Sequence, residues 1–181
     1  MFINGVNMMV TVEIPKEVNV DISRGIAKIS GSNGEVSFGY KPIVSFVVEN
    51  DTVKLEGPKM FVGTYNSHLK NAFKGVTEGH LKKMKVIQAH FPMKLEQKQD
   101  KVIIKNFIGS RVDRIAKIVG NTKVSIKGQD IEIQGPDLYA VGQTAANLHQ
   151  ATKVKNKDVR VFQDGIYPVK KWVKIKVQRV K

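Results

Sequence analysis

Residues 53–58 read Val-Lys-Leu-Glu-Gly-Pro, and residues 131–136 read Ile-Glu-Ile-Gln-Gly-Pro. In both stretches apolar and polar side chains alternate up to the Gly-Pro pair, which is typical of a half-buried β-strand. Proline, with its fixed φ and missing N–H, suits the first position of a helix, so the pattern predicts that Pro58 and Pro136 begin helices. The chain therefore contains one strand–proline–helix pattern twice, with the copies 78 positions apart.

A helical period of apolar side chains follows each Gly-Pro pair. Both segments are too short to be stable helices in water alone, so we expect each to pack on its own sheet. The predicted buried stripes are Phe61, Tyr65, Leu69, Ala72 and Val76 in the first copy and Leu138, Val141, Ala145 and Leu148 in the second.

Strand patterns precede the helix in both copies. Residues 25–30 and 35–40 flank Gly31-Ser32-Asn33-Gly34, which indicates a hairpin turn, and Lys101–Lys105 and Lys123–Lys127 supply comparable strands in the second copy. The matching order predicts an α+β fold of two tandem duplicated domains, each a small, mostly antiparallel β-sheet with one main helix packed on it. We expect an N-terminal domain at 1–85 and a C-terminal domain at 86–181, meeting near a basic stretch.

That basic stretch has two interpretations. Its lysines either add contacts to a polyanion or only solvate a linker, and they are Lys82, Lys83, Lys85 and Lys94.

The composition indicates a globular protein that binds a polyanion. The chain has 181 residues, 41% of them hydrophobic and 25% charged, and a formal net charge of +14. Nucleic acid is the commonest cellular polyanion, so a basic chain of this kind points to RNA or DNA. Lysines outnumber arginines by 25 to 5, which favours contacts to phosphate and to RNA shape over base reading.

Several classes of protein are excluded by what the sequence lacks. With no cysteine, the chain has no disulfide framework, no Cys-ligated zinc or iron–sulfur site and no cysteine nucleophile. No apolar run approaches the roughly 20 residues that span a bilayer, and the first residues lack the features of a signal peptide. We therefore expect a cytoplasmic protein without a membrane partner.

No catalytic or metal site is predicted, and no cofactor. The four histidines, His68, His80, His90 and His149, include no pair with the spacing of a helical metal site. Phosphate-binding glycine motifs and a nucleophile elbow are absent, and the acidic residues are dispersed. The chain is therefore not expected to be an enzyme.

The positive charge is concentrated at the C-terminal end. Residues 1–80 hold eight cations and eight anions, whereas residues 151–181 hold ten cations and two anions, a net charge of +8. Within this segment residues 159–163 alternate like a strand, and Asp164-Gly165 is a strong hairpin signal. We therefore predict a basic hairpin here and expect the near-neutral N-terminal part to face solvent, neighbouring proteins or passing factors.

The last residues add a second basic feature. Val173, Ile175 and Val177 would face one side of an extended strand, and Trp172, Lys174 and Lys176 the other, which suits a phosphate backbone. The alternative is a solvated edge strand whose lysines prevent aggregation.

The same region carries a family resemblance. The chain reads GPDLYAVGQTAANLHQATKVKNKDVRVFQDGIYPVKK from Gly135 onward, and it resembles the archaeal and eukaryotic branch of the ribosomal large-subunit "L-six" family. The matching signature runs from Gln150 through Lys153, Lys157, Arg160, Phe162, Asp164-Gly165 and Tyr167 to Lys170. The resemblance extends over nearly the whole chain, although the lysine-rich tail after Trp172 is not part of the signature.

The resemblance implies a structural protein of the large ribosomal subunit. It implies binding to large-subunit rRNA mainly through the C-terminal domain, near the sarcin–ricin loop and the factor-binding region. The expected partners are rRNA, neighbouring ribosomal proteins and translation factors, with one copy of the chain in each ribosome. The residues expected on rRNA by this likeness are Lys153, Lys155, Lys157, Arg160, Phe162, Gly165, Tyr167, Lys170 and Lys171. Charge alone adds Lys174, Lys176 and Arg179.

Each residue type has an expected role in such a site. The cations would neutralise phosphates, and Gly165 would allow a turn and a close approach of backbone to RNA. Phe162 or Tyr167 either stacks on an unpaired base or packs beneath the hairpin. Asp164 is expected to be a turn residue. A general nucleic-acid-binding or DNA-compacting protein remains the alternative function.

Overall fold

The computed structural model of the chain describes residues 7–23, 25–49 and 51–169. Its residue contacts divide it into two compact units. The first unit runs to His80 and includes Gly135–Ala140, and the second comprises Leu81–Gln134 and the residues from Val141 onward. The domain limits of 1–85 and 86–181 stay a prediction.

Six strands and a helix lie in the described residues of the first unit up to Thr77. They are β1 (Asn7–Glu13), β2 (Asn19–Ser23), β3 (Ile26–Gly31), β4 (Gly34–Gly39), β5 (Ser45–Glu49), β6 (Thr52–Pro58) and α1 (Lys59–Thr77). The strands form two antiparallel sheets, in the orders β1-β6-β5 and β2-β3-β4.

The predicted turn at Gly31–Gly34 is confirmed. In the β3–β4 pair Gly31 lies opposite Gly34, so Ser32 and Asn33 form a two-residue turn. The N–H of Asn33 donates to the Val76 carbonyl at 2.9 Å, which supplies a partner to one of the last carbonyls of α1. A Cβ on Gly31 would lie 2.9 Å from a Val76 methyl group, so this close approach requires glycine.

The core of the first unit lies between β6 and α1. Val53 and Leu55 on β6 are fully buried, as is Leu69 on α1. The predicted stripe on α1 is buried at four of its five positions, whereas Phe61 is only half-buried and its neighbour Val62 is fully buried instead. The alternating strand and the helical stripe were therefore correctly predicted to meet.

The second unit repeats this architecture. Its elements are β7 (His80–Ile87), β8 (Lys94–Lys98), β9 (Lys101–Lys105), a 3₁₀ turn (Phe107–Gly109), β10 (Arg114–Lys117), β11 (Lys123–Lys127), β12 (Asp130–Gly135), α2 (Leu138–Ala151) and β13 (Gly165–Pro168). The strand orders are β11-β12-β7-β13 and β10-β9-β8. Each half therefore has antiparallel sheets and one helix, which confirms the α+β fold of two tandem parts.

The core of the second unit matches the predicted stripe except at its first position. Ile131 and Ile133 on β12 are fully buried, and Val141, Ala145 and Leu148 on α2 are buried as well. Leu138, which was expected to belong to this stripe, is 45% exposed because it is the first residue of the helix, before the buried turns.

The prediction that the two prolines occupy the first helical position is wrong. Pro58 is the last residue of β6 and precedes α1, with an extended ψ of 134°. Pro136 lies two residues before α2, which begins at Leu138. Asp137 caps α2 instead, since its carboxylate accepts hydrogen bonds from the N–H groups of Tyr139 at 2.9 Å and Ala140 at 3.2 Å.

The basic stretch expected at the junction lies on two strands, β7 and β8. Lys82, Lys83 and Lys85 lie on β7, where Lys83 and Lys85 alternate with buried Met84 and Val86. Lys94 is the first residue of β8. β7 pairs antiparallel with β13, and β8 with β9. These lysines therefore lie on sheets of the second unit and not in a linker.

Candidate nucleic-acid interface

The loop between α2 and β13 carries most of the described site residues. We call residues 152–164 the basic loop. Lys153, Lys155, Lys157 and Arg160 are exposed there, and none of them forms an ion pair with a carboxylate of the described residues. Because no carboxylate of the described residues pairs with them, these four cations can approach phosphates without breaking an ion pair there.

Several lysines on the strands differ in this respect. Lys83 and Lys127 lie 3.0 and 3.5 Å from the carboxylate of Glu132, and Lys105 lies 2.7 Å from Glu96. The hydrogen bond from Lys83 lowers the pKa of Glu132 from its ordinary value. These three strand lysines share two carboxylates within the protein, whereas the four loop cations have no carboxylate partner among the described residues.

Both ends of the basic loop are fixed to the same point of the second unit. The buried Thr152 hydroxyl donates to the Leu148 carbonyl at 3.1 Å and accepts the N–H of Ile166 at 2.9 Å. The carbonyl of Ile166 accepts a hydrogen bond from His149 Nδ1 at 2.8 Å. Because a carbonyl can only accept, His149 carries its proton on Nδ1. His149 at the end of α2 and Thr152 just after it therefore bind the carbonyl and the N–H of Ile166.

Arg114 also supports the start of the basic loop. Its Nη1 donates to the carbonyls of Ala151 at 2.9 Å and Lys153 at 3.2 Å, and its guanidinium lies 4.2 Å from the centre of the Phe107 ring. The sequence analysis did not single out this arginine. No local pattern could have done so, because its partners lie 37 and 39 residues away along the chain.

The predicted basic hairpin is wrong for the described residues. Residues 159–161 form a turn, in which the Asp158 side chain accepts the N–H of Arg160 at 2.8 Å and its carbonyl accepts the N–H of Phe162 at 2.9 Å. Asp158 thus takes the N–H groups that a strand would have offered to a neighbouring strand.

Gly165 and Asp164 do not form a hairpin turn either. Gly165 is the first residue of β13, opposite Ile87 on β7. A Cβ on Gly165 would lie 3.0 Å from the Tyr167 ring and 3.3 Å from the Thr152 carbonyl, so close packing inside the protein already requires glycine there. Its contact with RNA stays a prediction.

Asp164 is a buried anchor rather than a turn residue. It is fully buried, and its Oδ1 accepts the N–H groups of Ala89 at 2.8 Å and His90 at 3.1 Å, while its Oδ2 accepts His90 Nδ1 at 2.7 Å. Burial by itself raises the pKa of this carboxyl. The hydrogen bonds from the His90 ring and from the two backbone N–H groups outweigh burial, so the pKa lies below its ordinary value.

The two aromatic candidates both have partners within the protein. The half-buried Phe162 ring stacks on His90, with ring centres 4.8 Å apart, and Lys157 Nζ lies 4.5 Å from the Phe162 ring centre. The Tyr167 ring lies 5.3 Å from that of His149, and burial followed by the charge of Asp164 raises the pKa of Tyr167. These contacts favour packing as their main role, and base stacking stays a prediction.

The remaining predicted residues lie outside the described part of the chain. They are Lys170, Lys171, Lys174, Lys176 and Arg179, together with the strand expected around residues 173–177.

No metal site or membrane helix is found where the structure is described. Within residues 7–23, 25–49 and 51–169 no three His, Asp or Glu side chains are placed to hold a metal ion together. Neither α1 nor α2 is long and apolar enough to cross a bilayer.

Comparison with known proteins identifies the family. The Ribosomal protein L6 family profile matches residues 91–165, which include the whole basic loop. Large ribosomal subunit protein uL6 of Haloarcula marismortui is 40% identical over 169 residues, which cover 90% of this chain and 95% of that protein. The chain belongs to the large ribosomal subunit protein uL6 family. This is a family of structural ribosomal proteins, so the chain is a non-enzymatic protein.

Other archaeal uL6 proteins are similarly close. The uL6 of Methanobrevibacter smithii is 44% identical over 167 residues, which cover 88% of this chain and 94% of that protein. The uL6 of Archaeoglobus fulgidus is 45% identical over 172 residues, which cover 88% of each chain. The uL6 relationship therefore extends over both units, as the resemblance in the sequence indicated.

Proposed function

We propose that the chain, as a uL6-family constituent of the large ribosomal subunit, binds large-subunit rRNA mainly through its second unit. The observation that carries this proposal is the basic loop, because it exposes four cations that form no ion pair within the described part of the chain and is fixed at both ends. A fixed, positively charged loop suits folded RNA, which is recognised largely through its shape and its phosphates.

The proposed contact residues have two levels of support. Lys153, Lys155, Lys157 and Arg160 are supported by exposure and free charge, whereas Phe162 and Tyr167 are half-buried and would contact RNA through atoms that their packing leaves accessible, and the buried Gly165 is supported by the family resemblance alone. The other positions supported by the family resemblance or by charge alone are Lys170, Lys171, Lys174, Lys176 and Arg179.

The family resemblance further suggests where on the ribosome the chain lies. We place its RNA site near the sarcin–ricin loop and the factor-binding region. The chain would act in the cytoplasm as one copy per ribosome, with neighbouring ribosomal proteins and translation factors as additional partners.

A footprint on the rRNA tests the proposal. Hydroxyl-radical probing of large-subunit rRNA with and without the purified chain should show protection in and around the sarcin–ricin loop. A matched competition should show that a folded rRNA fragment displaces the bound RNA while duplex DNA of equal length and charge does so poorly. Equal competition by duplex DNA would instead support the general nucleic-acid-binding alternative, and the absence of a footprint would overturn the proposed site.

A further inference from the structure

Four side chains form a continuous series of contacts that begins at a buried carboxylate and ends at a surface cation. Asp164 accepts the His90 Nδ1–H at 2.7 Å, the His90 ring stacks on Phe162, and Phe162 lies beneath the Lys157 ammonium. Asp164 and His90 come from opposite ends of the second unit's sequence, 74 residues apart. This series of contacts therefore joins the β7–β8 connection to the middle of the basic loop.

We propose that Asp164, His90 and Phe162 position Lys157 for RNA binding. They are positioning residues, because each acts through the next and the cation that meets the phosphate is Lys157. The inference rests on the proposed function and adds to it a cause for the loop's geometry. It assigns a role to His90, which the sequence analysis had treated only as a histidine without metal-site spacing.

The order of the contacts explains why they should raise the affinity of Lys157 for RNA. Asp164 fixes His90 through both the ring and the backbone N–H, so the imidazole presents one face to Phe162. The Phe162 ring then offers its negative face to the Lys157 ammonium. A lysine side chain loses considerable rotamer entropy when it binds a partner. Holding Lys157 beforehand reduces that loss, so RNA binding gains affinity from preorganisation.

A purely structural role for the same residues is the competing interpretation. In that case Phe162 would stabilise the basic loop as a whole, and its loss would weaken every loop cation alike. Lys153 provides the matched control, since it lies on the same loop and its described contacts do not include the Phe162 ring.

The test is a pair of double-mutant cycles on RNA affinity. Lys157→Ala and Lys153→Ala are each measured in the natural chain and in a Phe162→Leu background, with the rRNA fragment at fixed salt. If Phe162 positions Lys157, the loss caused by Lys157→Ala should shrink by about two- to fivefold in the Phe162→Leu background, the size of a surface cation–π contact. The loss caused by Lys153→Ala should be unchanged.

A second variant protects the test against a folding defect. His90→Asn keeps a side-chain N–H for Asp164 but removes the ring that supports Phe162, and it should reproduce the same selective coupling to Lys157. Additive losses in both backgrounds, or equal coupling to Lys153 and Lys157, would overturn the inference. If neither lysine variant weakened RNA binding in the natural chain, the proposed function itself would fail, so the two failures are distinguishable.

Discussion

The chain leaves its two helices in different ways. After α1 the N–H groups of Glu78 and Gly79 both donate to the Lys74 carbonyl, at 2.9 and 3.2 Å, and β7 begins immediately afterwards at His80. After α2 the basic loop intervenes before β13 begins at Gly165. The duplicated framework is thus the same up to the helix end, and the copies diverge in the connection that follows.

This difference separates the shared scaffold from the loop that we propose as the RNA interface. In both copies an alternating strand and a helical stripe bury each other. The four loop cations that we propose for RNA binding lie on a connection that only the second copy has, as is common for binding residues carried by loops on a rigid scaffold. If that division is correct, changes in the two copies should affect stability alike and RNA binding unequally.

The largest expected effect comes from matched truncations in the two cores. Leu148→Ala and Leu69→Ala each remove a nearly or fully buried leucine from the helix of one copy, so each should lower the free energy of unfolding by about 2–5 kcal/mol. Urea titrations measure this loss. At partly denaturing urea Leu148→Ala should also lose rRNA binding, whereas Leu69→Ala should retain it. Equal loss of binding in both variants would contradict the assignment of the interface to the second unit.

Removal of the loop lysines should change RNA binding with little effect on folding. Replacing Lys153, Lys155 and Lys157 together by Ala should reduce the slope of log affinity against log salt concentration by about two to three, since each lost phosphate contact removes about 0.7–0.9. Filter binding over a salt series measures the slope. The control replaces three exposed lysines of the first copy, Lys16, Lys59 and Lys70. An unchanged slope in the loop variant would show that its lysines are only a solvated surface.

The buried carboxylate should make stability depend on acid pH. The pKa of Asp164 is lower in the folded chain than its ordinary value of 3.8, so its contribution is complete above that value and is lost as pH falls through the lower, folded pKa. Urea unfolding at successive acid pH values should therefore show a declining free energy of unfolding. In Asp164→Asn this part of the decline should disappear, and an identical pH profile in the two chains would argue against the anchor role.

The smallest expected effect distinguishes the two helix starts. Asp137→Ala removes the side-chain cap of α2 and should cost about 1 kcal/mol of stability. Thermal unfolding measures this cost. The start of α1 has no side-chain cap at Pro58, so Pro58→Ala serves as the control that removes no capping hydrogen bond. A loss from Asp137→Ala no larger than that from Pro58→Ala would contradict the capping role.

The framework was predictable because its signals are local. Alternation before Gly57-Pro58 and a helical period after it each need only neighbouring residues, and the burial of Leu55 and Leu69 confirmed both. The basic loop was predictable in charge but not in shape. Alternation over residues 159–163 predicted a strand, but the side chain and carbonyl of Asp158 accept the N–H groups of Arg160 and Phe162 and form a turn.

The residues that anchor the loop could not be predicted from sequence, because their partners lie far away along the chain. Asp164 before a glycine is the usual signal of a hairpin turn, yet its carboxylate binds N–H groups 74 and 75 residues away. A contact of that separation depends on how the whole sheet folds, and no sequence window contains it. Arg114 was missed in the same way.

The hydrogen bond between the Thr152 hydroxyl and Ile166 N–H has a consequence for the length of the chain between them. Its 2.9 Å span closes the basic loop at its base, as in an Ω-loop. For a loop whose ends are already joined, each doubling of length costs only about 0.6 kcal/mol of closure entropy. Insertions at its tip should therefore be tolerated by the fold, so that the reach of this surface can change during evolution or by engineering while the two cores stay as they are.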